Sequence, residues 1–198
     1  MDKLTPNLPK VQEPTKLPTI QELFDDSIEL AGKSEGLNAI LNTPPPQKWI
    51  KEHPNIPGWQ YLPIDKVEYL LTKIYKRWHP EVLERGLLMN SIAVTIRLHY
   101  FNPATDQMEF SDGVGACELQ TSKGTGALKM DMSNVNRGAI PMALPIAKSL
   151  AIKDAAECLG KIFGKDLNRK DTLAFQPDME IINRVEKRKE LLNNKNNV

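Results

Sequence analysis

At 198 residues the chain is long enough to bury one substantial core, so length alone predicts one compact domain with appendages. A composition of 40% hydrophobic and 26% charged residues excludes wholesale disorder. Lys and Arg total 26 against 25 Asp and Glu, which excludes a globally basic nucleic-acid binder and requires any basic surface to be local. No run approaches the roughly 18 to 20 apolar residues that cross a bilayer, and Met1 to Pro6 lacks the apolar centre of a signal peptide, so cytoplasmic residence is the expectation.

In chain order, Pro6, Pro9, Pro14 and Pro18 among polar residues predict a tail over 1–18. Thr19 is placed to cap a short docking helix carrying Ile20, Leu23, Phe24, Ile28 and Leu30, with Glu22, Asp25 and Asp26 in the turns that the helix dipole favours. Thr43-Pro44-Pro45-Pro46 marks a stiff connector, and Trp49, Ile56, Trp59 and Tyr61 then suggest a loop pinned by aromatics. From Pro63 to Trp78, the spacing of Ile64, Val67, Leu70, Leu71, Ile74 and Tyr75 predicts a helix.

Alternation of Ile92, Val94, Ile96, Leu98 and Tyr100 with Ala93, Thr95, Arg97 and His99 predicts a half-buried antiparallel strand. Asn102 to Asp106 supplies a turn into a partner strand over Met108 to Glu118, and Glu81 to Met89 reads as the strand before, completing a three-stranded meander. Residues 120–139 read as a polar, Gly-containing loop. A long helix follows from Leu144 to Gly164, with Leu144, Ala147, Ala151, Ala155, Cys158, Leu159 and Ile162 on one face and Gly160 and Gly164 as its stop. A charged helix after Pro177 ends the chain. The fold class is therefore α+β, an antiparallel meander packed against a long helix, divided as 1–43 (tail and docking helix), 44–170 (core) and 171–198 (charged helix and tail).

Several chemistries lack their residues. Neither Gly32-Lys33-Ser34 nor Gly124-Thr125-Gly126 supplies the glycine, spacing and lysine of a phosphate loop, so no nucleotide cofactor is expected. His53, His79 and His99 have no zinc-ligand spacing, and Cys117 and Cys158 read as small core residues. Asp106, Glu109, Asp112 and Glu118 could be recruited to a metal-dependent nuclease, but a solvated hairpin face explains them as well. No residue is assigned a catalytic role. What remains is a set of cations where a groove could form: Lys66 on the first core helix, Arg97 on the polar strand face, Lys123, Lys129 and Arg137 in the loop, and Lys153 on the long helix. Tyr61, Tyr75, Trp78 and Tyr100 are the aromatics that could stack bases, with Tyr75 and Tyr100 on apolar faces that point to the core.

Particular residues go further than patterning. Asp112-Gly113-Val114-Gly115-Ala116, the basic Gly-containing loop, Ala147-Lys148-Ser149-Leu150-Ala151-Ile152-Lys153-Asp154-Ala155-Ala156 and Leu159-Gly160-Lys161-Ile162-Phe163-Gly164 together resemble the signature of the Rad fifty-two family of annealing proteins. In that family a strand ending in an Asp-x-Gly-x-Gly-like turn leads to a helix with a lysine, a small residue and paired glycines. Tyr61 to Leu71 and Trp78 resemble its first core helix and the tryptophan that opens its meander, so the likeness spans about residues 60–168.

By that resemblance Lys153 stands at an inner-groove lysine and Lys66 at a groove arginine, while Asp154 and Glu157 replace arginines of eukaryotic members and imply an altered outer DNA site. It implies a non-enzymatic, ATP-independent protein that binds single-stranded DNA and anneals strands in recombination and repair. It also implies a homo-oligomeric ring or filament and a phage or prophage setting, with a single-strand-binding protein or an exonuclease as a candidate partner. The rival from another class is an adaptor that uses the N-terminal helix and the basic stretch Arg184, Lys187, Arg188 and Lys189.

Overall fold

The computed structural model describes residues 20–54, 56–122 and 132–195. The proline-rich tail, the Thr19 cap, the side chains of Ile20 through Ser27, and the loop cations Lys123 and Lys129 lie outside the described residues. The architecture is α+β, with helices α1 (Ile20–Leu41), α2 (Ile64–Tyr75), α3 (Ala139–Glu157) and α4 (Met179–Lys195). Strands β1 (Lys51–Glu52) and β2 (Gln60–Tyr61) pair as a small hairpin, and β3 (Trp78–Leu88), β4 (Ser91–Asn102) and β5 (Gln107–Glu118) form an antiparallel sheet in the order β3-β4-β5. None of the described helices is long and apolar enough to cross a membrane.

The meander follows the alternation in the sequence. Along β4, Ile92, Val94, Ile96, Leu98 and Tyr100 are buried and the residues between them are partly exposed. In β5 the positions that share the buried face are Ser111, Gly113, Gly115 and Cys117, paired with Leu98, Ile96, Val94 and Ile92. Both glycines lie within the strand rather than in a turn, because α3 presses directly on them. A Cβ at Gly113 would collide with the Ala151 carbonyl and the Ala155 amide, and one at Gly115 with the Ala147 carbonyl and the Ala151 amide. On the helix side, Ala139, Ala143, Ala147, Ala151 and Ala155 are buried at intervals of four residues, so an alanine stripe seats on a glycine strand, backbone against backbone.

That stripe also explains why α3 is longer at its start than the Leu144 boundary expected. Pro141 falls in the first turn, where its missing N–H has no partner to lose, and Pro145 is carried inside the helix by the buried alanines on either side of it. The helix ends at Glu157 rather than Gly164. Gly160 instead precedes a short 3-10 turn over Lys161–Phe163 and lets the end of α1 approach, since a Cβ there would strike Leu41. Gly164, at φ 103°, closes the turn in a left-handed conformation that favours glycine. Cys158, expected in the core, is exposed, because the helix stops just before it; Cys117 is half-buried, and both thiols are free.

Beyond the Gly160 contact, α1 is a 22-residue helix rather than a short one, and its last residue, Leu41, belongs to the core. Over Ile28 to Glu35 α1 packs against α4: Gly32 receives Val185, and the Glu35 carboxylate accepts the Asp178 N–H at 2.7 Å. The aromatic loop predicted over residues 49–61 is entered from a 3-10 turn (Gln47–Trp49) and contains the β1-β2 hairpin. α2 starts where predicted but ends at Tyr75 rather than Trp78, because Lys76 turns to φ 58° and Trp78 opens β3; it buries Val67, Leu70, Leu71 and Tyr75. Tyr75 and Tyr100, whose ring centroids lie 4.6 Å apart, are core residues, and burial pushes the Tyr100 phenol up to about 12.

Replacing Gly115 with Ala is expected to lower stability in urea or thermal unfolding by about 1–3 kcal/mol or more, because the new methyl has helix backbone in its way. Gly36→Ala, in a helix with open space around it, is the control and should raise stability by up to ~1 kcal/mol.

Candidate nucleic-acid interface

With one face of α3 fixed on β5, the neighbouring stripe of Ile146, Ser149, Leu150, Lys153 and Glu157 is turned toward β2 and the start of α2. β2 is held in place from far along the chain. The Asn168 side chain pairs with the Gln60 backbone in both directions, accepting its N–H at 2.7 Å and donating to its carbonyl at 2.8 Å. This clip brings Trp59 and Tyr61 opposite α3 and forms a cleft of about 490 Å³, whose floor is the backbone of β5 at Val114 to Ala116. Lys165 and Arg169, on the segment after the 3-10 turn, complete the far wall. A shallower continuation runs past Tyr61 and Lys153 along Ile64, Ile146 and Ser149.

Lys153 is central to both stretches. Its ammonium lies 4.6 Å from the centroid of the Tyr61 ring, a cation–π geometry. Burial holds the Lys153 ammonium below its ordinary pKa range, against the opposing pull of Glu157 one turn on. Glu157 is raised, first by burial and further by Asp154, with Lys153 and Arg169 pulling the other way. Asp154 has a structural task at the lip of the cleft: its carboxylate accepts the Val114 N–H at 2.9 Å, covering an amide on the free edge of β5. Next to the cleft, Asp166 binds Lys161 at 3.1 Å and Arg169 at 3.4 Å. On its face and rim the cleft therefore carries the cations Lys153, Lys165 and Arg169, the acids Asp154 and Glu157, and a half-exposed Trp59 (49%) beside Tyr61.

The other predicted cations stand elsewhere. Lys66 is on α2, 2.9 Å from Asp65, with its ammonium 5.8 Å from the Trp49 ring centroid, and it does not line the cleft. Arg97 lies on the sheet face opposite α3, where it makes a two-pronged bond to Asp112 (2.8 and 2.9 Å) and stacks over Phe110. Asp112 is held below the usual carboxylate range chiefly by that guanidinium. Arg137 is exposed just before α3, about 20 Å along the helix axis from Lys153. Trp78 donates its indole N–H to Thr72 at 3.0 Å and serves the α2–β3 junction.

Patterning overlooked Lys165, Arg169 and Trp59. The signal was present in Gly164-Lys165-Asp166-Leu167-Asn168-Arg169-Lys170, where cations crowd a segment too irregular for helix, but the interleaved acids hid it. Two of the four acids considered for a nuclease are occupied: Asp112 by Arg97, and Glu109 by Asn102 at 2.8 Å and Thr105 at 3.0 Å. Among the described residues no group of three or more His, Cys, Asp or Glu side chains could hold a metal ion.

No protein-family model matches the sequence, and no curated protein matches it.

Asn168→Ala is expected to free β2. Hydrogen exchange should report faster exchange at the Gln60 amide, and global stability should fall by about 1–2 kcal/mol for the lost pair of bonds.

Proposed function

We propose that the chain binds single-stranded DNA in the Lys153 cleft and promotes annealing of complementary strands without ATP. The observation that carries this reading is the pairing of Lys153 with Tyr61 inside a cleft flanked by Lys165, Arg169 and the exposed Trp59. Sequence-independent binding of an unpaired strand needs cations for phosphate and aromatic faces for bases, and the cleft places both within one short span. Its open length, continuing along Ile146 and Ser149, suits a polymer rather than a compact ligand.

The sequence resemblance to Rad fifty-two-type annealing proteins supports the same reading. In its terms, copies assemble as a ring or filament and their clefts join into one groove. Phosphates then face inward and bases outward, so a second strand can test pairing, as recombination and repair require. Such annealing transfers no group, so none of the cleft residues is assigned a catalytic role.

A second reading has one specific observation in its favour. The α1–α4 pair leaves Leu191 and Leu192 exposed beside Arg188 and Lys189, a surface that suits a protein partner. Under that adaptor reading the cleft is incidental.

The test is a titration of the full chain with labelled single-stranded and duplex oligonucleotides, followed by an annealing assay with magnesium present and ATP absent. Binding of the single strand, faster annealing and intact oligonucleotides are expected; degradation would indicate a nuclease, and absence of binding would leave the adaptor. Lys153→Ala should weaken binding and reduce the slope of log affinity against log salt by about 1. Lys165→Ala and Arg169→Ala should act in the same direction, while Arg97→Ala, on the opposite sheet face, should not.

A further inference from the structure

We propose that Glu157 is a resident competitor of the bound strand: a carboxylate seated beside Lys153 that keeps the grip on phosphate loose near neutrality and lets it tighten on acidification. This rests on the reading of the cleft as a single-strand site. Lys153 and Glu157 are one turn apart on the same flank of α3, both half-buried, and both line the same cleft. A phosphate drawn to the Lys153 ammonium must enter the field of Glu157, in a place where partial burial weakens solvent screening.

The two acids of the cleft differ in freedom. Asp154 is committed to the Val114 N–H, whereas Glu157 interacts with its neighbours through charge alone. The groups that face Glu157 are Lys153 and Asp154 from α3, and Lys165 and Arg169 from the segment beyond it. From β2 comes Tyr61, with His53 of the same hairpin region behind it at a ring-centroid distance of 6.1 Å. β5 contributes only Val114, Gly115 and Ala116, none of which titrates.

The sign follows from these neighbours. Burial and Asp154 raise the Glu157 carboxyl above its ordinary value, so it takes up a proton at a higher pH than an exposed glutamate does. As the pH falls through that value Glu157 becomes neutral while Lys153, Lys165 and Arg169 stay charged. The cleft gains one unit of positive charge and holds an anion more tightly. By linkage, an arriving phosphate raises the Glu157 pKa further, so strand binding and proton uptake reinforce each other. Near neutrality the ionised carboxylate does the opposite, and a loosely held strand can shift register or leave once it has paired.

The experiment measures affinity of the full chain for a labelled oligothymidine at constant ionic strength between about pH 4 and 8, a range that begins below the ordinary glutamate value, with a His53 variant as control. The wild type should bind more tightly as pH falls. Glu157→Gln should bind about three- to tenfold more tightly near neutrality and show a flat acid limb, while His53→Gln keeps the wild-type limb. Wild-type affinity in Glu157→Gln, or an acid limb that disappears with His53 instead, would overturn this inference while leaving the cleft reading intact. Absence of strand binding by both the wild type and Glu157→Gln at every pH would overturn the cleft reading, and this inference with it.

Discussion

The molecule is organised by the approach of α3 to β5. Gly113 and Gly115 remove two side chains from the strand, and Ala147, Ala151 and Ala155 present methyls from the helix, so the two backbones come closer than any larger pair would allow. Such an interface has little freedom to slide or rotate, because each shift drives a methyl into a carbonyl or an amide. The side-chain bonds across it fix the same register: Ser111 donates to the Ala155 carbonyl at 3.0 Å, and Asp154 accepts from Val114. Once the alanine stripe is seated, the direction of every other residue on α3 follows from helical geometry. Lys153 and Glu157 lie in the cleft because Ala151 and Ala155 lie on the glycines.

This arrangement resolves the tension between an electrically balanced chain and the proposed strand-binding cleft. Acids and bases are nearly equal in number, but they are sorted by place. On the outer sheet face, Arg97 is neutralised by Asp112, while Glu81 and Glu84 share that face, so it does not present a basic surface. Around the cleft, Asp154 is drawn off by a backbone amide, leaving Glu157 as the acid set directly against Lys153. Local charge is thus a product of which hydrogen bonds the fold makes, and no sum over the sequence reports it.

Regular elements were legible in the sequence where their periodicity was strong. The alternation of β4 and the stripe of α2 follow directly from apolar spacing, since a half-buried element leaves its period in the chain, whereas β5 follows from the turn at Asn102 to Asp106. The start of α3 was obscured by Pro141 and Pro145, whose local cost is outweighed by burial of alanines that carry little hydrophobic signal of their own. The β1-β2 hairpin is too short to have a period. Of the site, Lys153 was legible because it sits on a patterned helix, whereas Lys165, Arg169 and Trp59 lie on irregular segments whose positions depend on tertiary contacts.

The Gln60–Asn168 pair shows why that second class of residue escapes local reading. The two residues stand 108 positions apart, and their mutual bonds do for β2 what a neighbouring strand would do, satisfying one N–H and one C=O with a side-chain amide. One wall of the cleft is therefore assembled only when the segment after the 3-10 turn has docked. That segment is anchored in turn by buried Phe163, by the left-handed turn at Gly164 and by the Lys161–Asp166 ion pair. The same short stretch that supplies Lys165 and Arg169 thus also positions Tyr61 against Lys153. The cations and aromatics come together or not at all, so the cleft exists only in the folded chain, and under the proposed reading contacts made there by a strand would stabilise the docked segment.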